Sequence, residues 1–135
     1  MCMEIQDVLA LKAAGNLIDG TVLNVGETDY RVVPIYNGRC IQDAVRKLNI
    51  GSRQLAQYLM QMINDSKHIS SPTIGLVPAH DIKKQMCHVS LNFENELGIV
   101  SKVTTFRIST FTLPCGKFIE IGDERFRCPE ALFQV

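Results

Sequence analysis

An α/β fold is the architecture that this 135-residue chain predicts. Short β-type runs alternate with stretches of helical periodicity, Gly and Pro punctuate the boundaries between them, and no heptad array or internal repeat is present. Hydrophobic residues make up 46% of the chain and charged ones 21%, a balance that favours a packed core over disorder. At this length one domain is expected, and its folding buries roughly 65–70% of the surface of the unfolded chain.

Each element has its own signal. Ile5, Val8, Leu9 and Leu11 recur near helical spacing up to Gly15, a natural C-terminal cap, so a helix is predicted over 3–14. Gly20 to Gly26 and Tyr30 to Tyr36 are β-rich and flank the polar turn Glu27-Thr28-Asp29, the pattern of a hairpin. Pro34 cannot donate to a ladder, which places the end of the second strand at an edge or a bulge. After the turn signal Asn37-Gly38, both Cys40 to Leu48 and Ser52 to Ile63 read as helices. In the latter, Ser52 is the N-cap, and Leu55, Leu59, Met62 and Ile63 form a core stripe. Asn64 to Pro78 reads as a surface loop, and a third helix is predicted from about Ala79 to Phe93 with Ile82, Met86 and Val89 on one face. Val103 to Leu113 and Lys117 to Ile121 flank Pro114-Cys115-Gly116, a three-residue hairpin signal, and Pro129 to Phe133 reads as one helical turn with Pro at its first position. Only two strands then stand beside the first helix, too few for an independent sheet layer, and Val135 follows directly on the apolar pair Leu132-Phe133. The chain reads as a piece of something larger.

Composition removes several function classes. Fourteen Lys and Arg balance fourteen Asp and Glu, so the charge signature of a nucleic-acid or anionic-membrane binder is missing. Acidic residues near Met1 and the lack of a long apolar run argue against a secretory signal or a membrane span, and predict a chain of the cytosol or nucleus. Cys2, Cys40, Cys87, Cys115 and Cys128 are odd in number and scattered, which reads as reduced, partly buried thiols. His68, His80 and His88 lack metal-ligand spacing.

The stretch Ile121-Gly-Asp-Glu-Arg-Phe-Arg-Cys-Pro-Glu-Ala-Leu-Phe-Gln134 closely resembles a signature of the actin family. Leu113-Pro-x-Gly116, Asp81-Ile-Lys-x-x-x-Cys87, Leu55-x-x-Tyr-Leu-Met60, Val33-Pro-Ile-Tyr-x-Gly38 and Ile5-Gln-x-Val-Leu-x-Leu11 also look like actin segments, in order and at nearly unchanged spacing. The resemblance covers essentially the whole chain but only about the middle third of an actin. It implies a partial actin-like fold of the sugar-kinase and Hsp70 type: residues 1–48 as part of the sheet-bearing base of the large domain, and 49–135 as a mostly helical upper-lobe segment. In that fold ATP with Mg or Ca lies in a cleft between two related domains, of which this chain supplies one wall.

The same resemblance nominates site residues. Gln6 matches the glutamine that positions the attacking water, an amide able to hold water without competing as a nucleophile. Asn24, Gly26, Glu27 and Thr28 fall where actins carry the second phosphate hairpin, Asp-Ser-Gly-Asp-Gly. Asn24 removes a carboxylate, Glu27 lengthens another, and Thr28 replaces a glycine. Arg31 stands in place of the histidine that partners the catalytic water, and a guanidinium cannot accept a proton. Lys83 matches the lysine beside the adenosine, whereas Lys84 replaces the glutamate that accepts from the ribose hydroxyls, and His80 replaces an arginine. Without the family, Lys83 and Lys84 would read as a solvated helix face.

The expected function is that of an actin-like cytoskeletal protein or truncated relative, without autonomous ATPase activity, acting through contacts with actin or actin-binding proteins. The alternative is a portion of a complete ATP-binding, filament-forming ATPase. Neither nucleic acid nor membrane is an expected partner. Self-association through exposed Val22, Leu23, Val32 and Val33 is expected if the first forty residues lack their neighbouring strands. The family's filament surfaces correspond to Ser66 to Pro78 and Gly98 to Thr105, where this chain departs from the actin pattern.

Overall fold

The computed structural model describes residues 2–15, 17–66, 72–102 and 108–134. They form two compact units, dividing between Ser52 and Arg53.

In the first unit, helix α1 (Cys2–Ala13) precedes strands β1 (Gly20–Val25) and β2 (Tyr30–Tyr36), which pair antiparallel from Gly20↔Ile35 to Val25↔Tyr30. Alternation along β2 puts Val33 and Ile35 on the face that α1 covers, and their core partner is Leu11. Val8, Val22, Cys40 and Val45 pack around that nucleus. Gly20 permits the close approach, since a Cβ there would lie 2.8 Å from Leu11 Cδ1. Asn37 and Gly38 both take positive φ (49° and 68°), the two-residue geometry that turns β2 into β3 (Arg39–Cys40). Asp19 Oδ1 accepts the Asn37 N–H, and the Ile18 carbonyl accepts the Gly38 N–H at 2.7 Å, clamping the turn.

Four expectations are corrected here. The segment 40–48 is not a helix: Gln42–Ala44 makes a single 3-10 turn, and Arg46–Leu48 is a strand, β4, paired antiparallel with β2. Its apolar residues have helical spacing, but the open edge of β2 offers unpaired backbone groups that a strand satisfies. The sheet therefore has four strands rather than two. Pro34 lies in the central strand β2 and not at an edge; β3 has ended and β4 has not begun where its N–H would be needed, while its carbonyl accepts the Ile41 N–H at 2.9 Å. Val33 is buried beneath α1, with Val22 and Val32 half-buried; of the four residues expected on the surface, Leu23 is exposed.

In the second unit, α2 (Ser52–Asp65) buries Leu55, Ala56, Leu59 and Ile63, and Met62 packs against the same core. Ser52 is the first residue of the helix, its N–H donated to the Gly26 carbonyl at 3.2 Å. Asn64 holds the returning chain with both ends of its amide: Oδ1 accepts the Ile74 N–H at 2.9 Å and Nδ2 donates to its carbonyl at 3.2 Å. Helix α3 (Leu76–Met86) begins earlier than expected because Pro78, lacking an N–H, is tolerated in a first turn. It ends at Cys87, which turns extended (ψ 144°), so Val89 is not on it. A further helix, α4 (Phe93–Lys102), was not legible as such. Strands β5 (Ser109–Thr112) and β6 (Phe118–Ile121) form the foreseen hairpin, closed by Leu113 N–H to Lys117 O at 2.8 Å with Gly116 at φ 79°. The first part of the expected strand, 103–107, lies outside the described residues, as does His68.

Helix α5 (Glu124–Glu130) also differs, since Pro129 lies in its last turn instead of at its start. The carbonyl that a residue-129 N–H would have bonded, that of Arg125, instead accepts the His88 N–H at 3.2 Å. Leu59, Ile82, Ile119, Ile121, Phe126 and Cys128 are the largest fully buried side chains of this unit.

Candidate functional site

The nominated residues fall in both units, and the first unit gathers most of them at one end of its sheet. Asn24 and Arg31 are cross-strand partners on the face that α1 covers, and the turn beyond them is drawn tight by the Gly26 N–H donating to the Asp29 carbonyl at 3.0 Å. Gly51 rests against that turn so closely that a Cβ would come 2.4 Å from the Glu27 carbonyl oxygen. Glu27 and Thr28 are exposed, and Asn24 is half-buried.

Asp29 organises this end. One carboxylate oxygen, Oδ2, receives both Arg31 Nε at 3.0 Å and Lys47 Nζ at 3.2 Å, while the Thr28 hydroxyl donates to Oδ1 at 3.1 Å. The Lys47 hydrogen bond is the main force holding the Asp29 carboxyl below the usual carboxylate range, aided by Thr28 and the Arg31 charge and opposed by partial burial. Sequence reasoning treated Asp29 as a turn residue. Its i, i+2 relation to Arg31 was a visible signal, but Lys47 joins only through the β4 register, Arg31↔Lys47, hidden by the helical reading of 40–48.

Behind the cluster lies a cavity of about 250 Å³ lined by Asp7, Arg31, Val33, Cys40, Gln42, Val45 and Lys47. Asp7 is 5% exposed, whereas the nominated Gln6 is exposed. Adjacent helical positions point about 100° apart, so α1 presents one of this pair to the sheet and the other outward. Asp7 also escaped sequence reasoning, for its placement depends on the helix phase against β2.

The residues present do not fit a phosphate-bound divalent cation. Such an ion needs carboxylate oxygens free to bind it or its waters, and a phosphate needs backbone donors pointing out of the turn. Here Asn24 carries no charge, the Asp29 carboxylate is engaged by two cations, and Gly26 turns its N–H inward, which leaves the exposed Glu27 as the one carboxylate among the nominated residues of the turn. Among the described residues no group of three or more His, Cys, Asp and Glu converges as a metal site. In the second unit, Lys83 and Lys84 occupy the last turn of α3, Lys83 half-buried and Lys84 exposed, and both cations suit a helix C-terminus.

Comparison with known proteins gives this geometry its context. The actin family model matches residues 1–80, more than half the chain and all of the hairpin wall. The chain belongs to the actin family. Actin-related protein 2 of Arabidopsis thaliana is 32% identical over 133 residues, an alignment that takes in 97% of this chain and 33% of that relative. This actin-family chain thus spans about a third of the length of the curated relative it matches. Its mixed helices and antiparallel sheets are those of a partial α/β actin-like fold.

Proposed function

We propose that this actin-family chain works through protein contacts of the actin type, in the cytoplasmic cytoskeleton, and not as an autonomous ATPase. The observation that most supports this reading is the closed ion cluster at the hairpin. Arg31 and Lys47 are directed at Asp29, and Arg31, where a proton-accepting histidine would serve the catalytic water, is a permanent cation. Gln6 retains the family's water-positioning side chain, while Arg31 takes the place of its histidine partner. This wall alone would hold ATP with Mg or Ca weakly, since a ligand clamped between two domains draws most of its buried surface from both. The partners are then actin itself or actin-binding proteins.

A thermal melt with and without saturating Mg-ATP tests the reading, because a ligand that binds only the folded state raises the midpoint by mass action. The expected midpoint is indifferent to Mg-ATP. An upward shift together with ATP turnover abolished by Gln6→Ala would overturn the proposal and favour the second reading, a portion of a complete ATP-binding, filament-forming actin-like ATPase. That reading draws its support from the matched relative, of which the chain covers only a third. Co-sedimentation with actin filaments tests the protein-contact arm, with the chain expected in the pellet.

A further inference from the structure

Two thiols in the second unit meet at the join of three elements. Cys87 caps the C-terminus of α3, its N–H donated to Lys83 O at 3.3 Å, and the next residue, His88, is pinned to α5 through the Arg125 carbonyl at 3.2 Å. Cys128 lies three residues beyond Arg125 on α5, fully buried, with Sγ 3.4 Å from the Leu55 carbonyl of α2. Cys87 packs half-buried against the core cluster that contains Cys128. The His88 anchor thus ties the chain beside Cys87 to α5 three residues before Cys128, and the two thiols are close enough to share a hydrogen bond.

We propose that Cys87 and Cys128 form an oxidative modification site, at which a peroxide closes an intrachain disulfide that locks the end of α3 to α5. Peroxide reaches the half-buried Cys87 sulfur first and leaves it as a sulfenic acid, releasing one water. The Cys128 sulfur then displaces the sulfenic hydroxyl, which leaves as a second water. Both sulfurs are oxidised by one electron each, the peroxide is reduced, and the two thiol protons depart in the waters. A hydrogen bond between the two thiols, with burial, pushes Cys87 up, and the same bond holds Cys128 down against burial, the Lys83 charge assisting at Cys128. The limited access of peroxide to both sulfurs makes the first step slow, so the bridge would form on sustained exposure to peroxide and not as a rapid sensor.

The test uses the full chain carrying Cys115→Ser, which removes an exposed thiol able to link molecules. After hydrogen peroxide treatment and alkylation, mass spectrometry should find the chain lighter by two hydrogens, a linked peptide pair containing Cys87 and Cys128, and reversal by dithiothreitol. Amide exchange near 83–88 and 125–130 should slow about tenfold on bridging. Cys87→Ala, at a half-buried position that tolerates truncation better than the core, should abolish the mass loss. Recovery of Cys87 as sulfinic acid beside a free Cys128, pairing of either residue with Cys40, or a mass loss that survives Cys87→Ala would overturn the proposal.

Discussion

Replacing Gly51 by Ala should open the β1–β2 hairpin while leaving the second unit intact. The methyl group would sit 2.4 Å from the Glu27 carbonyl oxygen and 2.6 Å from the carbonyl carbons of Glu27 and Thr28. Those are backbone atoms, so no rotamer change relieves the overlap, and one segment must move by about an ångström from an ordinary 3.4 Å contact. Overpacking of this kind costs about 1–3 kcal/mol. Displacing residue 51 also strains the neighbouring Ser52 N–H to Gly26 O bond (3.2 Å), worth about 1 kcal/mol. Against this, Gly→Ala reduces the entropy of the unfolded chain and returns about 0.4–1 kcal/mol. The net loss is about 2 kcal/mol, or roughly a thirtyfold rise in the opening equilibrium. Native-state hydrogen exchange read by peptide is the assay, because it separates the two units where a single melting curve would merge them. Amides of 20–36 should lose protection by about that factor, with those of 118–128 unchanged. Unaltered protection in the hairpin would refute the claim that Gly51 is required by contact with the turn.

Other substitutions probe the remaining arguments. Leu59→Ala, at a side chain with no exposure in the heart of the second core, should destabilise that unit by about 2–5 kcal/mol, read as a lower denaturation midpoint with an unchanged slope. Gly116→Ala, at φ 79° with open space around it, should lower stability by about 1 kcal/mol through backbone strain alone, a loss that Asn at the same position should partly avoid. Asp29 has a folded-state pKa lowered from 3.8, so its contribution is fully present above the unfolded value and disappears as pH falls through the folded one. Hairpin protection should therefore hold steady from neutral pH down to about pH 5 and fall below pH 4, and Asp29→Asn should remove that acid-dependent part of the decline.

The stripe of α2 and the hairpin around Gly116 were legible because each rests on local rules: helical spacing for the former, a left-handed residue at a fixed offset for the latter. The segment 40–48 was not, since Ile41, Val45 and Leu48 satisfy helical periodicity and only the vacant edge of β2 overrules it. Pro129 misled for a similar reason. A proline is tolerated in a last turn when something else occupies the stranded carbonyl, and the donor, His88, is far away in sequence. The candidate site divides the same way. Asn24, Gly26, Glu27 and Thr28 could be located from a resemblance, but Asp7 and Lys47 depend on helix phase and strand register, which no local pattern states.

Pro34 acts on the sheet as an end-stop. Because N–H and C=O of one strand residue face the same edge, its missing donor looks towards the stretch between β3 and β4, where its carbonyl already holds Ile41. Were β4 to slide two residues along β2, keeping its faces, it would meet a position with no proton to offer; were β3 to creep the other way, it would meet the same blank. One imino acid therefore sets the alignment of two separate ladders. Lys47 thereby keeps its place opposite Arg31, in the ladder that lies on the far side of Pro34 from β3.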